Sequence, residues 1–292
     1  MGTGTQVHDG AASSLPMPAP SLVPVTDDGA HLTVVPHLAR LIDTPHAGAD
    51  GRHADEPTPF RPGDTVGEVS AVCVVERLRP DAGPAGVSAM AKSPVSGRVH
   101  VRELGVRGDV QGDRLHHGGP DKAVYALAGA EVRHWGALLG TRPGGLGENL
   151  VVEGDLDDLE LGAVLHAGSL TLRVTGLRNP CSTLARGVGR EGFVAEFSAR
   201  ARVGVYLAVD EPGDLAAGDA LTVLSTPGHG VSCRRWYAHH DPRDARALLA
   251  SAETGKMRMA DFTRRYVEAA AHEEVGPGPA GATAPARQGS GA

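Results

Sequence analysis

The sequence has few of the residues that mark several common protein classes. Its three cysteines, Cys73, Cys181 and Cys233, lie too far apart for a disulfide framework or a paired zinc motif. No run approaches the roughly 18 apolar residues of a membrane span, and the N-terminus lacks a secretory pattern. Acidic residues outnumber basic ones, 35 to 28, which argues against nucleic acid as the main partner. These features predict a soluble protein of a reducing compartment, the cytoplasm.

Aromatic residues are also scarce, with four Phe, four Tyr and two Trp, whereas glycine and proline number 40 and 21. Such a composition predicts many turns and disordered ends. Residues 1–62 are rich in proline and small residues without sustained periodicity, and we interpret them as a largely disordered N-terminal arm. Residues 276–292 consist mainly of Gly, Pro, Ala and Ser, and we expect a disordered tail.

Residues 63–230 show the pattern of a mainly β fold. Apolar residues alternate with polar ones in several short runs, as half-buried strands require, because neighbouring side chains point to opposite faces of a sheet. Helical signals are few, at Gly129–Leu139 and Ser182–Arg186. This pattern favours an antiparallel sandwich or barrel over a doubly wound sheet. The predicted strands are Val66–Glu76, Gly97–Leu104, Ser169–Leu177, Val203–Val209 and Ala220–Ser225.

A small helical extension is predicted for residues 231–275. Asp241 is suited to cap a helix, Pro242 fits its first turn without losing a hydrogen bond, and Gly255 ends it. A second helix is predicted at Asp261–Glu274 from its apolar stripe.

A dinucleotide-binding fingerprint occurs as a string match at Gly187–Gly192. The fingerprint requires a strand that leads directly into the first glycine and a helix that follows the loop. No predicted strand leads into Gly187, so we interpret this segment as a flexible loop.

Three glycine-containing loops concentrate polar side chains. The first, Gly108–Tyr125, surrounds the tight turn Gly118-Gly119-Pro120 with titratable residues, and the exposed amides of such a turn can face an anion. The second, Gly144–Leu150, places three glycines before a carboxylate and an amide. The third, Arg178–Cys181, follows a predicted strand directly. Taken singly, each loop also fits a solvated polar turn.

Cys181 is the cysteine best placed for chemistry. Cys73 lies within an apolar β run and Cys233 just precedes the helical extension, which favours packing roles for both. Cys181 lies on a strand-exit loop beside Arg178, whose positive field would depress the pKa of the thiol. A lone cysteine is more often structural, so this ranking alone leaves both interpretations open.

These loops, in this order, resemble the MOSC domain, the C-terminal module of molybdenum cofactor sulfurases, and especially its stand-alone YiiM-like branch. The similarity spans about residues 63–230, and the helical extension resembles one common in that branch. Leu146 departs from the family, which usually has an aromatic residue there, and residues 1–62 match nothing in it. The matching elements are Lys92–Gly97, Gly108–Gln111, His117–Tyr125, Trp135, Gly147–Leu150, Arg178–Cys181, Gly204–Tyr206 and Gly218-Asp219.

The resemblance implies a β-barrel that binds the molybdenum cofactor, a pterin-bound molybdenum. Cys181 would be the protein thiolate ligand to the metal, because a soft thiolate suits a metal already held by the sulfur atoms of its pterin. The cofactor's phosphate needs cationic or amide partners, for which Lys92, Arg178 and the amides of Gly118 and Gly119 are candidates. From their side chains alone, His117 is a candidate proton donor and Asn149 a candidate hydrogen-bond partner of the cofactor.

The reaction implied by the resemblance is reduction of an N-hydroxylated compound, such as a hydroxylaminopurine or an amidoxime. Nothing in the sequence recognisably binds flavin or haem, so the partners implied are a small-molecule substrate and a separate electron-donating reductase. Two alternatives stay open. Cys181 could carry a persulfide, as in sulfurtransferase-like members, although no pyridoxal phosphate module is present in this sequence, or the chain could be a non-catalytic cofactor carrier.

Overall fold

The computed structural model of the chain describes residues 59–112 and 118–272. The predicted arm, 1–62, lies outside these ranges except for its last four residues, and the predicted tail, 276–292, lies outside them entirely. The described strands are β1 Thr65–Val75, β2 Arg79–Pro80, β3 Val87–Ser88, β4 Lys92–Pro94, β5 Val99–Arg102, β6 Gly105–Val106, β7 Val124–Ala128, β8 Leu150–Gly154, β9 Val164–Ala167, β10 Leu170–Leu177, β11 Val205–Glu211, β12 Gly213–Leu215 and β13 Ala220–Ser225. The described α-helices are α1 Gly129–Leu139, α2 Ser182–Val188, α3 Phe193–Ala199, α4 Cys233–His239, α5 Pro242–Glu253 and α6 Asp261–Ala271.

Seven of these strands close into a barrel. Their order around it is β1, β13, β9, β10, β11, β7 and β8, and the pairing of β8 with β1 completes the circle. Neighbouring strands are antiparallel except β7 and β8, which run parallel and are joined by α1. Beyond the barrel, β4 pairs with the end of β1. The predicted mainly β barrel with a few short helices is confirmed.

The barrel interior is filled by alternate residues of its strands, as the sequence pattern predicts. In β10, Leu170, Leu172 and Val174 are fully buried, whereas Thr171 and Arg173 between them are partly exposed. Burying each of these aliphatic side chains contributes about 1.5–3 kcal/mol. The alternation stops after Val174, where the rest of β10 is buried on both faces.

The helical extension explains this change, because α6 covers the second half of β10. The hydroxyl of Thr263 donates to the carbonyl oxygen of Thr175 at 2.7 Å. Beside it, the ring of Phe262 lies so close to Gly176 that a Cβ there would be 2.6 Å from ring atom Cε2. Only glycine at position 176 allows this contact.

The two helices predicted for the extension begin where the sequence places them, whereas α4 was not predicted. The side chain of Asp241 accepts from the backbone N–H of Arg243 at 2.7 Å, and Pro242 is the first residue of α5. Helix α5 ends at Glu253, before Gly255. Helix α6 begins at Asp261 as predicted, and its predicted last residue, Glu274, lies outside the described residues.

The loop expected at Gly187–Gly192 is shorter than predicted. Gly187 lies within α2, the N–H of Gly189 caps that helix by donating to the carbonyl oxygen of Ala185, and Gly192 is the N-cap of α3. Aromatic packing explains why α3 forms here. Two phenylalanines one helical turn apart, Phe193 and Phe197, are buried with ring centroids 5.0 and 5.4 Å from that of Trp135.

A buried carboxyl group anchors the start of β11 to the barrel. Asp157 is fully buried, and its Oδ1 accepts from the N–H of Gly204 at 3.0 Å, while Oδ2 has no partner in the described structure. Burial raises the pKa of Asp157 to about 7, and the nearby carboxylates of Glu131 and Asp158 act in the same direction. The Gly204 N–H and Arg202 oppose this shift.

We therefore expect Asp157→Asn to remove part of the pH dependence of stability. The native protein keeps a proton on Asp157 that the unfolded chain releases between about pH 4 and pH 7, so the wild type loses stability as the pH rises through that window. The variant cannot ionise there. We expect urea unfolding to show that, from pH 4.5 to pH 8, the free energy of unfolding falls by roughly 2–4 kcal/mol more in the wild type than in the variant. Equal losses in both proteins would contradict the assignment.

Candidate functional site

Strand β10 delivers Arg178 and Cys181 to one end of the barrel. After Leu177 the chain leaves the strand through Arg178-Asn179-Pro180, and Cys181 becomes the N-cap of α2 with extended backbone angles. Arg178 turns inward and is buried, whereas Cys181 is partly exposed. The strand exit thus combines an interior cation with a thiol at the protein surface.

The three cysteines differ as the sequence suggests. Cys73 and Cys233 are fully buried, and burial raises the pKa of the Cys73 thiol to about 12 and that of Cys233 well above its ordinary value. Thiols held protonated in this way are poor nucleophiles and poor metal ligands. Cys181, by contrast, is accessible from outside.

The guanidinium of Arg178 is held by three neighbours. It lies 4.7 Å from the ring centroid of Tyr125, its Nη1 donates to the carbonyl oxygen of Leu146 at 2.7 Å, and its Nη2 lies 3.9 Å from the sulfur of Met90. Its Nε is buried without a hydrogen-bond partner in the described part of the chain. Arg178 and Cys181 also interact electrostatically. A positive charge therefore acts on the thiol, and the Nε of Arg178 has no hydrogen-bond partner among the described residues.

The glycine-rich loop between α1 and β8 places the carbonyl group that Arg178 uses. Glu148 is fully buried and accepts from the N–H groups of Gly144 at 2.7 Å and Leu146 at 3.0 Å, so it closes the loop on itself. Burial raises the pKa of Glu148, although these backbone donors and Arg178 favour its ionised form. Gly144 has a φ of +88°, and a Cβ there would lie 2.7 Å from the backbone of Lys92. This packing requires glycine.

A second polar cluster lies behind this loop, centred on Asp109. The Nζ of Lys92 donates to Asp109 Oδ2 at 2.5 Å, and Asn149 Nδ2 donates to the same oxygen at 2.8 Å. The other oxygen, Oδ1, accepts from the N–H of Val75 at 2.8 Å. Asn149 also accepts from the N–H of Tyr125 at 3.2 Å. In this arrangement Lys92 and Asn149 both act on Asp109.

The predicted turn at Gly118-Gly119-Pro120 is organised by Gln111. The N–H of Gly119 donates to Gln111 Oε1 at 2.8 Å, and Gln111 Nε2 donates back to the Gly119 carbonyl oxygen at 3.3 Å. The amide of Gly119 is thus engaged within the loop in this structure. His117, the candidate proton donor, lies outside the described residues.

The structure therefore brings Cys181, Arg178, Lys92 and Asn149 to the same end of the barrel through three connecting loops. The sequence analysis gave no role to Asp109, Glu148 or Tyr125, although each lies in one of the motifs quoted above. The signal that could have found them is charge pairing, because a buried lysine and a buried arginine both need acceptors. That the predicted site residues contact a cofactor stays a prediction.

The described residues lack two kinds of feature. Residues 59–112 and 118–272 contain no group of three or more His, Cys, Asp or Glu side chains arranged to hold a metal ion. The same residues include no helix long and apolar enough to cross a membrane.

Comparisons with known proteins agree with this architecture. Residues 113–222 match the family model of the MOSC domain. The uncharacterized protein YflK of Bacillus subtilis is 29% identical over 183 residues, which cover 60% of this chain and 82% of YflK. Protein YiiM of Escherichia coli is 26% identical over 201 residues, covering 61% and 89% of the two chains. The crystal structure of YiiM from Geobacillus stearothermophilus superposes with a TM-score of 0.54 at 21% identity, covering 70% of this chain and 98% of that one.

We expect Lys92→Ala to lower the free energy of unfolding by about 3–5 kcal/mol, because it leaves the buried carboxylate of Asp109 without its cation. The matched control is Arg142→Ala, which breaks an exposed ion pair with Glu76 and should cost less than about 1 kcal/mol. Adding Asp109→Asn to Lys92→Ala should restore part of the loss. Denaturant unfolding of the four proteins measures these differences, and equal effects of the two alanine substitutions would contradict the role given to the buried pair.

Proposed function

Because this chain carries a MOSC domain and is homologous to YiiM and YflK, we propose that it binds the molybdenum cofactor through Cys181 and reduces N-hydroxylated compounds. The substrates are of the hydroxylaminopurine or amidoxime type, and the electrons come from a separate reductase. MOSC domains are associated with this cofactor in general. The assignment to particular residues of this chain is our proposal.

One observation carries the proposal: Cys181 is partly exposed and interacts electrostatically with the buried guanidinium of Arg178, whereas the other two cysteines are fully buried. A cation next to a thiol favours the thiolate, which is the form that binds metal. A cysteine that only packs in the core does not need a neighbouring cation. The arrangement therefore supports a chemical role for this sulfur.

The residues present also fit the cofactor. A metal that arrives with the sulfur ligands of its pterin needs one further soft ligand from the protein, and Cys181 offers one. The Nε of Arg178 is buried without a partner in the described structure and can donate to an anionic group of the cofactor. When bound, the cofactor supplies the metal centre for two-electron chemistry.

The stoichiometry of the reaction determines what the protein residues must supply. The N–O bond of the substrate breaks with the uptake of two electrons and two protons, and the products are the amine or amidine and one water molecule. The protons must reach the departing oxygen, and His117 is our proposed donor because an imidazole releases a proton near neutral pH. Arg178 keeps the thiolate charged and fixed in position.

Lys92 and Asn149 are proposed to support the site rather than to touch the substrate. Both donate to Asp109, and Asn149 also fixes the backbone of Tyr125, on which Arg178 stacks. Gly118 and Gly119 are proposed to lie at the cofactor's phosphate, because backbone amides in such a turn can bind an anion.

The test is Cys181→Ser in protein purified from a host that makes the cofactor. We expect the molybdenum content to fall at least about tenfold and the reduction of 6-hydroxylaminopurine with an artificial electron donor to be lost, because a serine hydroxyl is a much harder and less acidic ligand than a thiol. Elemental analysis, pterin fluorescence and turnover give the readouts. The matched control, Cys73→Ser, should lower stability by about 1–3 kcal/mol while the protein retains its molybdenum.

The outcomes separate the alternatives. Full turnover by Cys181→Ser would contradict the mechanism. Wild-type protein with cyanide-labile sulfur and no molybdenum would be a sulfur carrier instead. Protein that holds the cofactor but reduces no N-hydroxylated compound would be a carrier without turnover.

A further inference from the structure

A cleft of about 500 Å³ lies at the C-terminal end of α2. Its walls come from the β2–β3 hairpin, the loop that follows α1, the start of β4 and the last turn of α2. Cavities of 300–1,000 Å³ are typical of small-molecule sites. The cleft is therefore large enough for a ligand of nucleotide size.

Positive charge dominates the lining. Four arginines and Lys92 line the cleft, against the two carboxylates of Glu76 and Asp81. Both carboxylates are already paired. Arg186 forms a two-pronged contact with Asp81 at 2.9 and 2.7 Å, and Arg142 binds Glu76 at 2.6 Å. Lys92 forms an ion pair with Asp109.

Two cationic side chains of the lining are left over. Arg77 lies in the exposed connection between β1 and β2, Arg79 is the first residue of β2, and neither has a carboxylate within ion-pair distance among the described residues. Two arginines that line the same cleft, with five donors each, match the oxygens and the double charge of a phosphate monoester. Two cations without a carboxylate partner in the described part of the chain are suited to bind an anion.

The cleft is connected to the thiol by α2. Cys181 caps the start of this seven-residue helix, and Arg186, Gly187 and Val188 at its other end line the cleft. At 1.5 Å per residue, the two ends are roughly 10 Å apart, similar to the separation between the base and the phosphate of a mononucleotide. Met90 also joins the two places, because it lines the cleft and touches Arg178.

From this juxtaposition we propose that Arg77 and Arg79 bind the phosphate of the substrate, so that the substrate is an N-hydroxylated nucleotide rather than a free base. The inference rests on the proposed function for the reacting end and on the cleft for the phosphate end. The same phosphate chemistry could come from the cofactor, and the experiment distinguishes the two sources. A concave site of this size favours a small ligand over an acidic protein surface, which needs about 800 Å² on each partner.

The first experiment measures binding and needs no turnover. Adenosine 5′-monophosphate and adenosine are titrated by calorimetry into the full-length protein at fixed ionic strength. We expect the monophosphate to bind at least about tenfold more tightly, and Arg77→Ala/Arg79→Ala to abolish that difference. The matched control, Arg102→Ala/Arg243→Ala, removes the same charge from two exposed positions outside the cleft and should preserve the preference.

The second experiment measures turnover of N6-hydroxyadenosine 5′-monophosphate and of the unphosphorylated nucleoside. The wild type should show a higher kcat/KM for the monophosphate, and Arg77→Ala/Arg79→Ala should lose this preference mainly through KM, with an unchanged kcat and molybdenum content. Because the calorimetry does not depend on turnover, a monophosphate preference in protein without reductase activity would support the cleft and refute the proposed function alone.

Three results would overturn the inference. One is equal affinity of the wild type for the monophosphate and the nucleoside. Another is loss of molybdenum and pterin from Arg77→Ala/Arg79→Ala, which would assign the cleft to the cofactor's phosphate. The third is displacement of the monophosphate by polyglutamate at lower concentration than by inorganic phosphate, which would indicate an acidic protein partner.

Discussion

The buried guanidinium of Arg178 is the interaction on which the site depends. Desolvating a guanidinium is costly unless its donors and charge are compensated. Here the compensation comes from three separate segments, through the ring of Tyr125, the carbonyl oxygen of Leu146 and the sulfur of Met90. Those segments are consequently held together at one end of the barrel, and the chain that leaves Arg178 can present Cys181 in only one place.

The same constraint explains the composition of the neighbouring loops. Leu146 can offer its carbonyl oxygen because Glu148 has closed the loop, and the loop can pack on Lys92 because Gly144 has no side chain. Lys92 in turn is tied to Asp109. Arg178, the loop closed by Glu148 and the Lys92–Asp109 pair therefore form one connected polar network at the end of an apolar barrel.

Local patterns in the sequence predicted local structure well. Helix α1 and strand β13 have the predicted ends, because Gly140 and the Gly218-Asp219 turn bound them unambiguously. Helix α3 was not predicted, since its main support is the packing of Phe193 and Phe197 on Trp135, some 60 residues earlier in the sequence. The roles of Lys92 and Asn149 were equally hidden. Their shared acceptor, Asp109, lies 17 and 40 residues away from them, and no pattern indicates which carboxylate a buried lysine will meet.

The contact between Phe262 and Gly176 limits how this architecture can vary. The ring occupies the volume where any other residue at position 176 would place its first side-chain carbon. Barrel and extension are thus complementary in shape at this contact, and a chimaera that joins this barrel to the helices of a relative must inherit both partners together. Exchange of the two parts between homologues is restricted here by the absence of a single carbon atom.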